Sequence, residues 1–255
     1  MGIEFIGTNS LVVQDDPTSF TVNYPAGVQP GDTVFVLIYK HDYIYNYLPQ
    51  ANQWYRDFGE NWYIDVFNRT IGSDTSEMFS TESSAASHLA IITLAYRNLA
   101  RAFTYPFSES RASAIDGPSP GSKAHIHFYY AGILSPTEQY LTLYLQSTRH
   151  YSGTGDVFTQ PGDDPLTFRQ EVISNFGGQK LYLSVSEKIL SNTSDVPQQN
   201  LTLSWELVGT SRNYESLAHI SYKHSPPVPT PGAPKLKLEK VQIEELPSFV
   251  HTRMV

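Results

Sequence analysis

Thr33-Val34-Phe35-Val36-Leu37-Ile38-Tyr39 is the stretch on which the fold turns. In an extended chain successive side chains point to opposite faces. Val34, Val36 and Ile38 therefore share one face, and Phe35, Leu37 and Tyr39 the other. Both faces are apolar, the pattern of a central strand covered on two sides. The run is entered through Gln29-Pro30-Gly31-Asp32, a turn-forming cluster. The same period of two recurs along the chain. Leu141, Leu143 and Leu145 alternate with Tyr140, Thr142 and Tyr144. Leu181, Leu183 and Val185 repeat the pattern, as do Leu201, Leu203 and Trp205. Ile3–Ile6, Ser19–Tyr24, Trp62–Phe67, Leu89–Tyr96, His125–Tyr130 and Leu217–Tyr222 are further candidate strands. Many short strands separated by turn clusters predict an all-β, antiparallel β-sandwich or jelly-roll-like domain.

One segment reads as a helix. Asp164 is suited to cap it, Pro165 to open it and Gly177-Gly178 to end it, with Phe168, Val172 and Phe176 on one face at i, i+4 and i+8.

The chain has 255 residues, long enough for one sandwich and a substantial core. It contains no cysteine, which excludes disulfides, thiolate chemistry and Cys-ligated zinc. Its formal charge of −8 argues against nucleic acid as a partner, because little here would neutralise a phosphate backbone. The Met1-Gly2-Ile3-Glu4-Phe5 start carries no signal-peptide pattern, and Ile6 does not suit myristoylation. No apolar run is long enough to predict membrane insertion. Three Asn-x-Ser/Thr sequons, at Asn68, Asn192 and Asn200, fit strand and turn composition better than glycosylation.

The composition changes at Ser225. Pro226-Pro227-Val228-Pro229-Thr230-Pro231-Gly232-Ala233-Pro234 cannot pair as a central strand and favours an extended, semi-rigid path. Beyond it Leu236, Leu238, Val241 and Ile243 sit among Lys and Glu in an alternating stretch, followed by Leu246 and Phe249. The chain thus divides into a domain over 1–225 and a Pro-rich linker with an extended C-terminal docking arm over 226–255. Such an arm has too few residues to bury its own apolar side, so these six residues are assigned to partner binding, with strand addition to a sheet edge as the mode.

No Gly-x-Ser-x-Gly elbow, phosphate-binding loop or His-Glu-x-x-His occurs. Asp15-Asp16 and Asp163-Asp164 lie in turn-like segments, and Asp57 and Glu60 lie among aromatics, where a solvated loop is the simpler reading than a glycosidase. No catalytic residue is assigned and the chain is expected not to be an enzyme. His125 and His127 share a strand face, with His88 as a conceivable third zinc ligand. Strand histidines more often serve as hydrogen-bonding groups, so no cofactor or metal is assigned. Gly153–Asp156 and Gly162–Asp164 are weak candidates for calcium. The aromatic density of 39–67 is the more informative feature. Trp54, Tyr55, Trp62, Tyr45 and Tyr47 are candidate contact residues. Contact with another subunit is preferred for them, core packing next, and a glycan third, with Asn52, Gln53 and Asp57 as its hydrogen-bonding company.

Several parts of the chain carry a family resemblance. Pro25-Ala26-Gly27-Val28-Gln29-Pro30-Gly31-Asp32 before a strand, Trp54 in a following loop, and Ala90–Asn98 resemble a β-sandwich family of tailed-bacteriophage virion proteins. That family's pattern is a "PaGvqaGD" strand entry, a "gW" and an "ai.ayrG" strand. Asn98 stands where it often has glycine, and Leu181–Lys188 and Leu203–Trp205 look like its later strands. The resemblance runs over about 20–222 and implies a structural role at a head-decoration, neck, tail or fibre position. It implies as partners other virion proteins, with the chain made in the host cytoplasm, repeated in the particle as a homo-oligomer and located in the virion. The alternative is a carbohydrate-binding host-surface adhesin that takes a cell-surface glycan on the 39–67 segment.

Overall fold

The computed structural model describes residues 2–14, 17–40, 47–51, 53–58, 64–81, 88–99, 123–128, 139–151, 167–176, 179–190, 201–206 and 213–223. The arm, with Leu236, Leu238, Val241, Ile243, Leu246 and Phe249, lies outside the described residues, as do Tyr45, Trp62, the two Asp-Asp pairs and both calcium candidates. Among the described residues every regular element is a strand. In order they are β1 (Glu4–Gln14), β2 (Ser19–Asn23), β3 (Thr33–Lys40), β4 (Leu48–Pro49), β5 (Tyr55–Phe58), β6 (Ile64–Thr70), β7 (Ser76–Ser80) and β8 (His88–Arg97). They continue with β9 (Lys123–Phe128), β10 (Tyr140–Tyr151), β11 (Thr167–Phe176), β12 (Gln179–Leu190), β13 (Leu201–Glu206) and β14 (Asn213–Lys223).

All the pairings are antiparallel. A five-stranded sheet runs β1-β8-β3-β6-β5, and a four-stranded sheet β11-β12-β10-β14. A three-stranded sheet runs β2-β7-β4, and β9 pairs with β13.

β3 explains why its sequence is apolar on both sides. Phe35, Leu37 and Tyr39 join one core cluster with Leu141, Leu143, Leu145, Leu181, Leu183 and Val185 of the four-stranded sheet. Val34, Val36 and Ile38 join a second cluster with Phe20, Val22, Tyr47 and Phe79 around the three-stranded sheet. The five-stranded sheet is thus lined with core on each face. Burying a large aliphatic side chain stabilises by about 1.5–3 kcal/mol, and β3 is buried at every position.

The helix expected after Asp164 is instead β11. It pairs with β12 from Thr167 to Phe176. Phe168, Val172 and Phe176 are even steps apart, so helix and strand both place them on one side, and periodicity could not decide between them. Thr167, Val172 and Ile173 are β-branched and favour a strand. A register shift between Phe168 and Gln170 then turns the side chains over. Val172 lies in the core while Phe168 is 52% exposed. Phe176 pairs with Gln179, leaving a two-residue connection that Gly-Gly commonly fills in hairpins. The sequon residue Asn68 is buried within β6, opposite Phe35.

The Pro30-Gly31-Asp32 entry is a hydrogen-bonded corner. The Asp32 amide donates to the Gln29 carbonyl (3.0 Å), and the Asp32 carboxylate accepts from the Gln29 amide (2.8 Å). Gly31 and Ile71 complete it, Gly31 N–H donating to Ile71 O and Ile71 N–H to Asp32 O, each at 2.8 Å. Gly31 has φ +96°, and an added Cβ there would meet no atom within 4 Å. Gly31→Ala is therefore a test of backbone strain alone. The left-handed conformation costs an L-residue about 1–2 kcal/mol, and urea melts are expected to shift by that amount. An unchanged midpoint would remove the structural reason for glycine at this position.

Candidate contact site

The 39–67 aromatics are split between core and surface. Tyr47 belongs to the core: its side chain is fully buried, its ring packs 5.2 Å from that of Phe20, and its hydroxyl donates to the Pro17 carbonyl at 2.7 Å. It offers no ring to a partner. Trp54 is half-buried just before β5. Its ring meets Phe79 edge-on at 5.8 Å and tilts toward Tyr24 at 6.5 Å. Tyr55, the first residue of β5, is 42% exposed and pairs with Asn68 across the sheet. Asp57 lies in β5; its side chain, with Asn52 and Glu60, lies outside the described residues.

Glu77 holds this corner together, and sequence reading missed it. Its side chain is buried although it lies on a strand of only five residues. One carboxylate oxygen accepts the Ala51 amide at 2.9 Å. The other accepts the Trp54 indole N–H at 3.0 Å and Arg69 Nη1 at 3.4 Å. Arg69 also pairs with Asp74 at 2.8 Å. Burial, and after it the negative charge of Glu77, pushes the Tyr24 hydroxyl up to about 12. Trp54 is therefore a pillar whose polar edge is already used, and Tyr55 is the more exposed of the two rings. Gln53, between them and the β7 contacts, has φ +80°. A non-glycine residue in that region is uncommon and clusters at contact and switch sites.

A second cluster closes the far end of β3. Lys40 Nζ lies 2.7 Å from Asp65 Oδ2, with both side chains fully buried. Arg56 also bonds Asp65, and its guanidinium lies 5.7 Å from the Phe67 ring centroid. Burial pulls the Lys40 ammonium below its ordinary value of 10.5, with Asp65 opposing. A third cluster ties the five-stranded sheet to the four-stranded one. Glu187, buried on β12, accepts the Tyr96 hydroxyl and Arg169. The Arg169 guanidinium sits 3.9 Å over the Phe5 ring. Burial, then Glu187, raises the Tyr96 hydroxyl well above 10.0.

Of the three candidate zinc ligands only His88 has a described side chain. His88 stands on β8 opposite Gln14, whereas β9, with His125 and His127, pairs only with β13 among the described strands. No group of three metal-ligating side chains assembles among the described residues. A cleft of about 240 Å³ lies between β1 and β2, lined by Asn9, Ser10, Leu11, Thr21, Val22, Asn23, Ile91 and Thr93. It falls below the usual ~300–1,000 Å³ of ligand pockets and has no ionisable lining. Asn9 Nδ2 spans it to the Asn23 and Tyr24 carbonyls, at 3.3 and 3.0 Å.

The motif residues meet. Arg97, from the Ala90–Asn98 stretch, grips Asp32 of the Pro-Gly-Asp turn with two bonds, Nε to Oδ1 at 2.9 Å and Nη2 to Oδ2 at 3.0 Å. Positive φ occurs, among the described residues, at Gly27, Gly31, Gln53 and Asn98. No family model matches the chain, and no curated protein or solved structure does so either.

Proposed function

We propose that this chain is a non-enzymatic structural component of a tailed-phage virion. A β-sandwich over 1–225 binds neighbouring subunits through its surface, and the arm over 226–255 docks on one of them. The observation that carries this reading is the Asp32–Arg97 clasp. It joins two widely separated pieces of the resembled pattern. Gly27, Gly31, Gln53 and Asn98 stand at that pattern's glycine positions, and all four have positive φ. The clasp supports the reading by bringing two parts of the pattern into contact. The layered β packing and the half-exposed Tyr55 suit a repeated, non-catalytic contact module.

The test is deletion of Pro234–Val255. The truncated protein is expected to keep its urea midpoint and solubility but to be missing from gradient-purified particles. Normal incorporation would end the docking role of the arm. Tyr55 also supports the adhesin reading, which predicts loss of polysaccharide binding in Tyr55→Ala without unfolding. A glycan-array blank for the intact protein would exclude that alternative.

A further inference from the structure

The open sheet edges are not alike. β1, β5 and β11 each end a sheet, and each carries a register shift, at Phe5/Gly7, Arg56/Phe58 and Phe168/Gln170. Bulges of this kind spoil an edge as a template for another strand. β4 has two residues, one of them Pro49, and β2 only five. β14 differs. It ends the four-stranded sheet and pairs with β10 over eleven positions, Asn213–Lys223, without a shift. Among the described strands nothing pairs with its other side. It is the longest unbroken open edge the described strands present, and it offers alternate N–H and C=O groups along its length.

We propose that the β14 edge receives the Lys235–Glu245 segment of a second copy of this chain as an added strand. This rests on the docking role of the arm proposed above, and names its partner and seat. The segment is eleven residues long, matching β14, and its first five residues alternate Leu236 and Leu238 with Lys235, Lys237 and Glu239. Strand addition of this type draws affinity from main-chain pairing and specificity from alternate side chains. The linker decides whose arm it is. Pro226–Pro234 contains five prolines in nine residues. At about 3.1 Å per residue such a composition favours a semi-rigid spacer of roughly 28 Å. An antiparallel return onto the same β14 needs Lys235 beside Lys223, a tight reversal that such a spacer opposes. A parallel return needs a crossover connection, for which a stiff extended spacer is unsuited. Carrying the arm outward to another copy needs neither. Repeated around a symmetric particle, each copy gives one arm and receives one.

The absence of cysteine makes the test direct, since every disulfide formed is an engineered one. Full-length Glu215→Cys, on β14, is mixed at high concentration with a size-tagged single-cysteine variant at each of positions 235–245, then oxidised. The expected result is a mixed dimer of intermediate size at the one arm position that lies opposite Glu215 and not at the positions on either side of it, with Glu171→Cys on β11 giving none. No mixed dimer at any position overturns the proposal. So does a bridge that forms only within one chain of a double variant such as Glu215→Cys/Lys237→Cys. The two readings separate cleanly. Arm-deleted protein missing from particles, together with no arm–β14 bridge, sinks this seat but keeps the docking role. Bridging with normal incorporation after arm deletion does the reverse.

Discussion

Asp65→Ala is expected to lower folding stability by about 3–5 kcal/mol at neutral pH, the usual cost of breaking a buried ion pair from one side. Asp65 and Lys40 are both fully buried at 2.7 Å, so removing the carboxylate strands an ammonium in the core. Arg56, with a side chain 21% exposed, has a route to water that Lys40 lacks. The signature that separates this from a simple packing loss is its pH dependence. Burial already lowers the Lys40 ammonium below 10.5, and loss of Asp65, which opposes that shift, lowers it further. Between the folded value and 10.5 the unfolded chain binds more protons than the folded one, so stability of the variant rises with pH across that window. The deficit against the parent protein should therefore shrink from pH 7 toward pH 10. Lys40→Met/Asp65→Leu should recover most of the loss, because apolar groups of similar size replace buried ion pairs at little cost. A deficit that stays flat with pH, or a double variant as unstable as Asp65→Ala, would show that charge burial is not its cause.

The contrast between what was and was not legible in the sequence follows the same physics. β3, β8, β10 and β12 announce themselves because water-excluding positions alternate or run on without interruption. β7 does the opposite. Its inward residues are Glu77 and Phe79 and its 46% exposed residue is Met78, so the polarity pattern reads backwards at Glu77 and Met78. Only the distant partners of Glu77 explain this. Trp54, Arg69 and the Ala51 amide converge on it from other segments, and no spacing in one strand encodes that convergence. Lys40, Asp65 and Glu187 were invisible for the same reason, since a charged residue reads as surface until its counter-charge is placed. The misread helix at Thr167–Phe176 is a different failure. The residues chosen to mark a helical face lie an even number apart, and Gly177-Gly178 suits a hairpin as well as a helix stop. At the candidate site the aromatic density was legible, but its division was not. Tyr47 goes inward because a hydroxyl partner waits at Pro17, and Tyr55 goes outward because it opens an edge strand.

Phe79→Ala is expected to cost about 3–5 kcal/mol, in the range of buried aromatic truncations. Few residues join as many parts of the second core cluster. Its ring stacks on Phe20 at 5.6 Å, meets Phe67 at 5.4 Å edge-on, and takes the edge of Trp54 at 5.8 Å. The three-stranded sheet is small, and Phe20, Val22 and Phe79, with Tyr47 just before β4, are its core contribution. Emptying the Phe79 position leaves that sheet attached chiefly through the remaining three. Loss should therefore be regional as well as global. Hydrogen exchange is expected to quicken first in Phe20–Asn23 and Ser76–Ser80, while β10 and β12 keep their protection, as separately cored elements do. Trp54 loses its neighbour on one side but keeps the Glu77 bond, so Tyr55 on the adjoining edge strand should loosen without being released. Met78→Ala, one residue away on the outer face, is the matched control and should change stability by no more than about 0.5 kcal/mol. Equal losses for the two variants would mean that β7 is held by its backbone pairing with β2 and not by the core beneath it. A uniform rise in exchange across all sheets would mean that the two core clusters unfold as one, and that the contact site shares the stability of the whole domain.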